Sequence, residues 1–187
     1  MRKISDIAIL IFGILIFAVS YQFDAQANLF FNTARLPAFD IVFSSITNFG
    51  IAVIVMLAIP SIILYRKNDK IIYLLWLAFL VSVALAFMIK LAFLRQRPMD
   101  PFTFPFTTIV NYSFPSMHAM AVFSLLPILI RYLARQKLFW IGFGFFAVFS
   151  RIYLGFHYLS DVVFGALAGY LIGNLLLKLY EEKKLWK

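Results

Sequence analysis

The sequence predicts an all-α, polytopic membrane protein with six transmembrane helices. Hydrophobic residues make up 64% of its 187 residues and charged residues 13%, whereas apolar residues reach only about half of a typical soluble domain. A helix that spans a bilayer needs about 20 mostly apolar residues, so this chain has room for about six spans and short loops. We therefore expect residues 1–187 to form a single transmembrane domain without a soluble one.

Six apolar runs mark the predicted helices. The less apolar stretch at 24–40, which carries Leu29, Phe30 and Phe31 ahead of Pro37, predicts an amphipathic segment lying in the membrane interface. The apolar runs cover residues 7–23, 46–65, 71–94, 117–133, 138–156 and 159–177.

The longest polar connection, 95–115, is the main predicted loop. Its Phe102, Phe104 and Phe106 either dip into the headgroup region or pack as an ordinary loop lid, and the sequence favours neither. The first apolar run also has a second interpretation, because Arg2 and Lys3 precede it and small residues end it, as in a secretory signal. Its length favours a retained transmembrane helix.

Charge asymmetry predicts the orientation. With both termini in the cytoplasm, 12 basic residues lie inside and five outside, which agrees with the excess of Lys and Arg found in cytoplasmic loops. The loop between 95 and 115 is then extracytoplasmic. The inner residues are Arg2, Lys3, Arg66, Lys67, Lys70, Arg131, Arg135, Lys137, Lys178, Lys183, Lys184 and Lys187; the outer ones are Lys90, Arg35, Arg95, Arg97 and Arg151.

The same distribution bears on partners and cofactors. The net charge is +9, and most of the basic residues lie in short segments between apolar runs. This distribution reflects membrane topology and not binding of nucleic acid. The chain has no cysteine, which excludes disulfides and thiolate metal sites. It also has no cluster of carboxylates typical of a metal site, and we expect neither a metal nor another cofactor. The oligomeric state is left open.

Three polar clusters in the second half of the chain fall on the predicted outer surface. Lys90, Arg97 and Arg151 have few outer acids to neutralise them, the outer acids being Asp24, Asp40, Asp100 and Asp161, and together they suggest a cationic clamp for phosphate. Each cation alone is better explained by snorkelling toward headgroups. Lys90 and Arg97 point the same way if their helix continues through both. The clusters are Lys90 with Arg97-Pro98, Pro115-Ser116-Met117-His118, and Ser150-Arg151 with His157 and Asp161.

Ser116 and His118 stand at the predicted start of the fourth helix. Ser116 is a natural N-cap, and the free N–H groups beside it favour an anion. His118 is placed to give a proton to a leaving oxygen. A single histidine in a membrane helix more often serves packing, but the only two histidines of this protein both fall on this rim.

His157 and Asp161 are four residues apart, so on a helix the carboxylate reaches the imidazole and leaves the other ring nitrogen free to attack. In isolation this pair would read as an ordinary ion pair. Gly165, Gly169 and Gly173 continue the same four-residue spacing, which is typical of a surface where another helix packs closely. The glycine row either faces the bundle or forms a dimer interface.

Lys90-x6-Arg97-Pro98, Pro115-Ser116-x-His118 and Ser150-Arg151-x5-His157-x3-Asp161 resemble the three signature motifs of the type-2 phosphatidic acid phosphatase superfamily. The resemblance implies a membrane lipid phosphatase with the site at the extracytoplasmic face, where His157 forms a phosphohistidine, Asp161 holds it and His118 serves as acid and then base. Four side chains and the backbone at Met117 would bind the phosphate without a metal. Those side chains are Lys90, Arg97, Ser116 and Arg151.

Met117 departs from the family pattern, which usually has glycine at this position. A side chain there narrows the phosphate pocket or changes the approach of the backbone. Substrate preference is therefore the least determined part of the prediction.

The favoured substrate is a polyprenyl diphosphate such as an undecaprenyl or dolichyl carrier, because the short chain lacks a soluble domain and its site faces outward. Phosphatidylglycerophosphate or phosphatidate is the near alternative. Three other functions remain as alternatives: a lipid phosphotransferase, a non-catalytic anion transporter, which would not need two histidines and an acid, and a haloperoxidase, which would call for a soluble fold.

Overall fold

A computed structural model describes residues 6–66, 68–99 and 111–182, and within these ranges the chain is helical without a β-strand. Several residues named in the sequence predictions lie outside the described part, so the predictions about them stay predictions. These residues are Arg2, Lys3, Lys67, Asp100, Phe102, Phe104, Phe106, Lys183, Lys184 and Lys187.

The described chain folds into α-helices with short connections. A π-helical turn at Ile54–Ala58 joins α4 to α5, where Pro60 lacks the N–H that a regular α-helix would use. The helices are α1 (Asp6–Gln22), α2 (Asp24–Thr33), α3 (Pro37–Ile46), α4 (Phe49–Val53), α5 (Ile59–Leu64), α6 (Asp69–Phe93), α7 (Met117–Tyr132), α8 (Lys137–Tyr153) and α9 (Leu159–Glu181).

Each predicted apolar run falls on a helix or on the α4, π-helical turn and α5 series. By length and composition, α6 and α9 qualify as membrane spans in the described part of the chain, and up to five spans result if each bent helix pair counts as one. The bends measure 60° between α1 and α2, 54° between α3 and the series beginning at Phe49, and 120° between α7 and α8. The count of six spans and the location of the termini stay predictions.

The row of glycines on α9 faces α7. A Cβ atom on Gly169 would lie 2.3 Å from the carbonyl oxygen of Met120, and one on Gly173 would lie 2.0 Å from that of Ser124. At Gly165 the corresponding distance to the oxygen of Ser116 is 2.7 Å. The row therefore serves packing within the chain, and the dimer-interface alternative is wrong because α7 already covers these glycines.

The two ends of the bundle differ in chemistry. At one end Arg131 of α7 and Glu181 of α9 form an exposed ion pair of 2.7 Å. At the other end, the C-terminal ends of α6 and α8 meet the N-terminal ends of α2, α7 and α9. The apolar core between them is formed mainly by α6, α7 and the α4 to α5 series, so the polar end is held on a rigid base.

Candidate active site

The polar end of the bundle brings together all eight residues that the sequence singled out. Six of the charged or polar side chains are almost inaccessible to solvent, although their groups are costly to bury without partners. Their partners therefore define the site. The buried residues are Lys90, Ser116, His118, Arg151, His157 and Asp161, and the half-buried ones are Arg97 and Met117.

Asp161 is the most firmly held of these residues. Its Oδ1 accepts a hydrogen bond of 2.7 Å from Nη1 of Arg95, and its Oδ2 accepts the hydroxyl of Ser113 and, at 2.9 Å, the backbone N–H of Tyr158. The last bond is part of a capping box at the start of α9. A carboxyl group with three donors is fixed in position beside His157.

His157 lies in the connection between α8 and α9 and not on a helix, which corrects the predicted helical pairing with Asp161. Helix α8 ends at Tyr153, and Gly155, at φ +72°, turns the chain in a conformation that favours glycine. The carbonyl of Arg151 then accepts the backbone N–H of His157 at 3.1 Å. The four-residue spacing works here because Asp161 occupies the first turn of α9 and faces back toward the connection.

The two ring nitrogens of His157 have different neighbours. Nδ1 lies 3.6 Å from Oδ2 of Asp161, and Nε2 lies 3.4 Å from Nη1 of Arg97. The first distance is longer than a hydrogen bond, and catalytic contacts often tighten only when substrate binds. Burial, followed by the charge of Arg97, lowers the pKa of His157 well below its ordinary value. The ring is therefore neutral near pH 7, with one nitrogen toward an acid and one toward a cation.

Lys90 and Arg97 converge from different parts of the chain. Helix α6 ends at Phe93 with Leu94 in a left-handed conformation, so the helix of Lys90 does not continue through Arg97 and the condition for a shared helical direction is not met. Arg97 instead reaches the site from the connection that follows. Its Nε donates to the carbonyl of Asn111 at 2.9 Å, and its Nη1 donates to that of Phe156 at 2.6 Å.

The ammonium of Lys90 and the guanidinium of Arg151 are held by neutral oxygens. Lys90 Nζ donates to the carbonyl of Tyr112 at 2.5 Å, and Arg151 Nη1 donates to the hydroxyl of Thr47 at 2.6 Å. Within the described ranges neither forms an ion pair with a carboxylate. Two buried cations without a carboxylate partner make this end of the bundle a favourable place for an anion.

Ser116 and His118 begin α7 at the same place. Ser116 is the N-cap, and its hydroxyl accepts the N–H of Ala119 at 3.5 Å, while its own N–H donates to the carbonyl of Asp161 at 3.1 Å. The ring of His118 packs edge-on against Phe49, with 4.8 Å between ring centroids. His118 also interacts electrostatically with Arg151 and His157, so both histidines belong to one site.

Buried polar atoms without a hydrogen-bond partner cluster here. Of five such side-chain atoms in the described residues, three belong to the site: His118 Nε2, Arg151 Nε and His157 Nδ1. An unpartnered buried polar atom costs about 1–3 kcal/mol. His157 Nδ1 faces Asp161, whereas His118 Nε2 and Arg151 Nε lack a partner in the described residues and could donate to the oxygens of an anion.

Met117 is the first residue of α7 and is half-buried. The first N–H groups of a helix have no partner within it, and they attract anions together with the helix dipole. The backbone of Met117 therefore contributes a donor whatever its side chain. A site with glycine at this position would lack the side chain that Met117 adds at the rim.

Five residues hold the site without having been predicted as members. Arg95 and Asp24 were counted only as an outer cation and an outer acid, while Ser113, Ser160 and Thr47 carried no signal of their own. Arg95 bridges Asp24 and Asp161 with two bonds of 2.7 Å. A buried acid at the end of an apolar run, as at Asp24, is the one feature that could have drawn attention to this network.

Within the described part of the chain, no three His, Asp or Glu side chains come together as metal ligands. The charged groups of the site are instead arranged as cations around a histidine and its acid. Such an arrangement suits a phosphoryl group, whose developing charge is stabilised by fixed donors.

Comparison with known proteins places this site in a family. The family model described as the PAP2 superfamily matches residues 70–185, which include all eight predicted site residues. A lipid A 4'-phosphatase from Bacteroides thetaiotaomicron is 30% identical over 162 residues, covering 78% of this chain and 72% of that protein.

Two solved structures have the same fold. A transmembrane PAP2-type phosphatidylglycerolphosphate phosphatase from Bacillus subtilis superimposes with a TM-score of 0.71 at 22% identity and full coverage of both chains. Aquifex aeolicus LpxE gives a TM-score of 0.66 at 26% identity, covering 83% of this chain and 94% of the other. The predicted all-helical membrane architecture is thus shared with solved membrane enzymes.

Proposed function

This chain belongs to the PAP2 superfamily and is a membrane lipid phosphatase, and on that basis we propose that it releases phosphate through a phosphohistidine at His157, without a metal. The observation that carries the proposal is the placement of the imidazole. Nδ1 faces Asp161 at 3.6 Å and Nε2 faces Arg97 at 3.4 Å. A phosphate bound by Arg97 would present its phosphorus to Nε2, while the acid behind the ring stabilises the positive charge that attack creates.

In the first step, the lone pair of Nε2 of His157 attacks phosphorus, and the bond from phosphorus to the lipid oxygen breaks. Asp161 holds the proton on Nδ1. His118 gives a proton to the departing lipid oxygen, so that the products are the phosphohistidine and the dephosphorylated lipid.

In the second step, His118, now neutral, takes a proton from water as the water oxygen attacks phosphorus. The N–P bond breaks and inorganic phosphate leaves, which returns both histidines to their starting states. One histidine therefore serves as nucleophile and the other as acid and then base. Burial of both rings keeps competing water out of the first step.

The cationic groups stabilise charge on the phosphoryl oxygens in both steps. We propose this role for Lys90, Arg97 and Arg151, with Ser116 and the backbone N–H at Met117 as neutral donors. Guanidinium groups match pairs of phosphate oxygens, and an ammonium adds a point charge. Removal of one such donor usually lowers kcat by about 10²–10³-fold.

For the substrate, two lipid classes compete. The polyprenyl diphosphate predicted from the sequence fits a short chain with an outward-facing site. A phosphorylated glycolipid is favoured by a different observation, the 30% identity to a lipid A 4'-phosphatase. Phosphatidylglycerophosphate and phosphatidate remain alternatives in the same reaction class, and transfer to a second lipid instead of water is the alternative reaction.

A substrate panel tests the proposal with the purified full-length protein in detergent. Release of phosphate from polyprenyl diphosphate, lipid A, phosphatidylglycerophosphate and phosphatidate is measured with chelator present. We expect turnover of at least one lipid by the wild type, none by His157→Ala, and loss of most activity in Asp161→Asn. Full activity in His157→Ala would refute the assigned nucleophile, and inhibition by chelator would refute the metal-free reaction.

A further inference from the structure

Asp24 is a buried acid that lies far from the motifs in sequence. It begins α2 and is outside residues 70–185, which the family model matches. Its Oδ1 accepts the backbone N–H of Ser160 at 2.8 Å, and its Oδ2 accepts the Ser160 hydroxyl at 2.5 Å and Nη2 of Arg95 at 2.7 Å. A side chain from the N-terminal part of the chain thus reaches the first turn of α9, next to Asp161.

Arg95 connects the two acids. While Nη2 donates to Asp24, Nη1 donates to Oδ1 of Asp161 at 2.7 Å and to the hydroxyl of Ser160 at 2.8 Å. The guanidinium carbon lies 4.1 Å from the ring centroid of Tyr158 and 5.3 Å from that of Tyr21, so aromatic rings limit its movement. Asp24 and Asp161 each bind one side of the Arg95 guanidinium group, so both acids determine its position.

We propose that Asp24, acting through Arg95, is a positioning residue that holds Asp161 where it orients the His157 ring; this rests on the proposed role of His157 as nucleophile. Without the Asp24 carboxylate, one side of the guanidinium loses its charged partner and Arg95 is free to rotate. Oδ1 of Asp161 then loses a fixed donor. Because Nδ1 of His157 is already 3.6 Å from Oδ2, a small shift of Asp161 decides whether that contact closes.

Asp24 also has a structural role that the test must separate from this one. By accepting the N–H of Ser160 it satisfies a donor in the first turn of α9, much as an N-cap residue does. Loss of a cap lowers stability, but it does not by itself slow the chemical step. The discriminating quantities are therefore kcat at saturating substrate, the coupling between Asp24 and Arg95, and the state of the His157 ring.

The kinetic experiment is a double-mutant cycle on the full-length protein in detergent with the best lipid of the panel. We expect Asp24→Asn and Arg95→Gln each to lower kcat by about tenfold or more with KM changed less than about twofold, and the double variant to be no slower than Arg95→Gln. Additive losses, or a rise in KM at unchanged kcat, would overturn the proposal. Glu181→Gln removes an Arg–carboxylate pair of the same 2.7 Å length at the other end of the bundle and should leave kcat unchanged.

Arg95→Lys gives a second variant in case Asp24→Asn does not accumulate as folded protein. Lysine keeps the positive charge but lacks the fork that joins two carboxylates. We expect a loss of kcat close to that of Arg95→Gln. Wild-type kcat in Arg95→Lys would show that charge alone suffices and would contradict positioning by Asp24.

A spectroscopic experiment tests positioning without turnover, so it stands even if the proposed function fails. With only two histidines in the chain, ¹⁵N-labelled histidine yields two sets of ring signals, which His157→Ala assigns. We expect Asp24→Asn to move the His157 nitrogen signals toward those of Asp161→Asn and to leave those of His118 in place. Unchanged His157 signals in a folded Asp24→Asn protein would overturn the proposal.

Discussion

Gly169 of α9 lies against Met120 of α7 so closely that a Cβ atom would be 2.3 Å from the Met120 carbonyl oxygen. The obstacle is backbone, which cannot rotate away as a side chain can. Helix α7 carries Ser116 and His118 at its N-terminal end, and α9 follows His157 directly. The contact therefore sets the separation of the two helices whose ends build the site.

Gly169→Ala should destabilise the protein and lower its activity, because the added methyl group forces α7 and α9 apart. Overpacking of this kind costs about 1–3 kcal/mol. The thermal unfolding midpoint in detergent measures the effect. Gly142→Ala is the control, since no atom lies within 4 Å of a Cβ there. Equal midpoints for the two variants would contradict the packing described.

His118→Gln should affect substrates according to their leaving group. A lipid alkoxide leaves only when protonated, so we expect a loss of about 10²–10⁴-fold on lipid substrates. p-Nitrophenyl phosphate, whose leaving group needs no proton, should still form the phosphohistidine, which then accumulates because its hydrolysis lacks a base. Samples denatured in alkali, in which the N–P bond is stable, and analysed by phosphorus NMR detect the intermediate. Failure of His118→Gln to form the phosphohistidine from p-nitrophenyl phosphate would argue against His118 as the proton donor.

Thr47→Val should weaken phosphate binding more than it lowers stability. Arg151 Nη1 loses the hydroxyl that it contacts at 2.6 Å, and the shape of the side chain is unchanged. An unsatisfied buried donor costs about 1–3 kcal/mol, and we expect KM and the inhibition constant of vanadate to rise by about tenfold. Thr33→Val is the control, because that hydroxyl is exposed and bonds only to carbonyls of its own helix. If both variants bind vanadate equally, Thr47 does not position Arg151.

The stability of the protein should depend on pH through His157. Burial, and to a smaller extent the charge of Arg97, lowers the pKa of this histidine well below 6.5 in the folded protein. In the unfolded chain the pKa returns to about 6.5. Below about pH 6.5 the unfolded chain therefore binds a proton that the folded chain does not, and the free energy of unfolding falls as pH decreases. Unfolding midpoints between pH 7.5 and 5 should fall less steeply for His157→Gln than for the wild type. Parallel curves would contradict a neutral, buried His157.

The orientation of the bundle can be tested by labelling, because the natural chain has no cysteine. Asn32 and Gln136 are exposed; Asn32 follows Phe31, which packs on Tyr153 at the polar end, and Gln136 lies between α7 and α8, near the Arg131–Glu181 pair. In intact cells a membrane-impermeant maleimide should label Asn32→Cys and not Gln136→Cys, and permeabilised cells should show both. Labelling of Gln136→Cys alone would invert the predicted topology.

The sequence was most informative where one pattern has one physical cause. Apolar runs predicted the positions of the helices because insertion into lipid depends on composition over many residues. The glycine row of α9 was correctly interpreted as a surface where another helix packs. The predictions that the structure corrects depend on local backbone conformation. The spacings allowed Lys90 with Arg97, and His157 with Asp161, to share a helix. Neither pair does, because the chain leaves the helical conformation at Leu94 and turns at Gly155.

The residues that support the site could not be predicted from the sequence either. Thr47 is 104 positions from Arg151, and nothing in the composition around Thr47 differs from an ordinary helix end. Ser113 bonds to Asp161 across 48 positions. Such pairs become visible only when the packing of the helices is known, because they are set by register between helices and not by spacing along the chain.

Asp24 and Ser160, which share two hydrogen bonds, are 136 positions apart. During synthesis Asp24 leaves the ribosome long before Ser160 exists, so its two hydrogen bonds to Ser160 form only after the start of α9 has been made. A nascent chain that ends before α9 already contains Lys90, Arg97, His118, Arg151 and His157, yet it lacks Asp161, the acid proposed to orient His157. The polar network is therefore complete only after α9 has been made and its first turn has met α2.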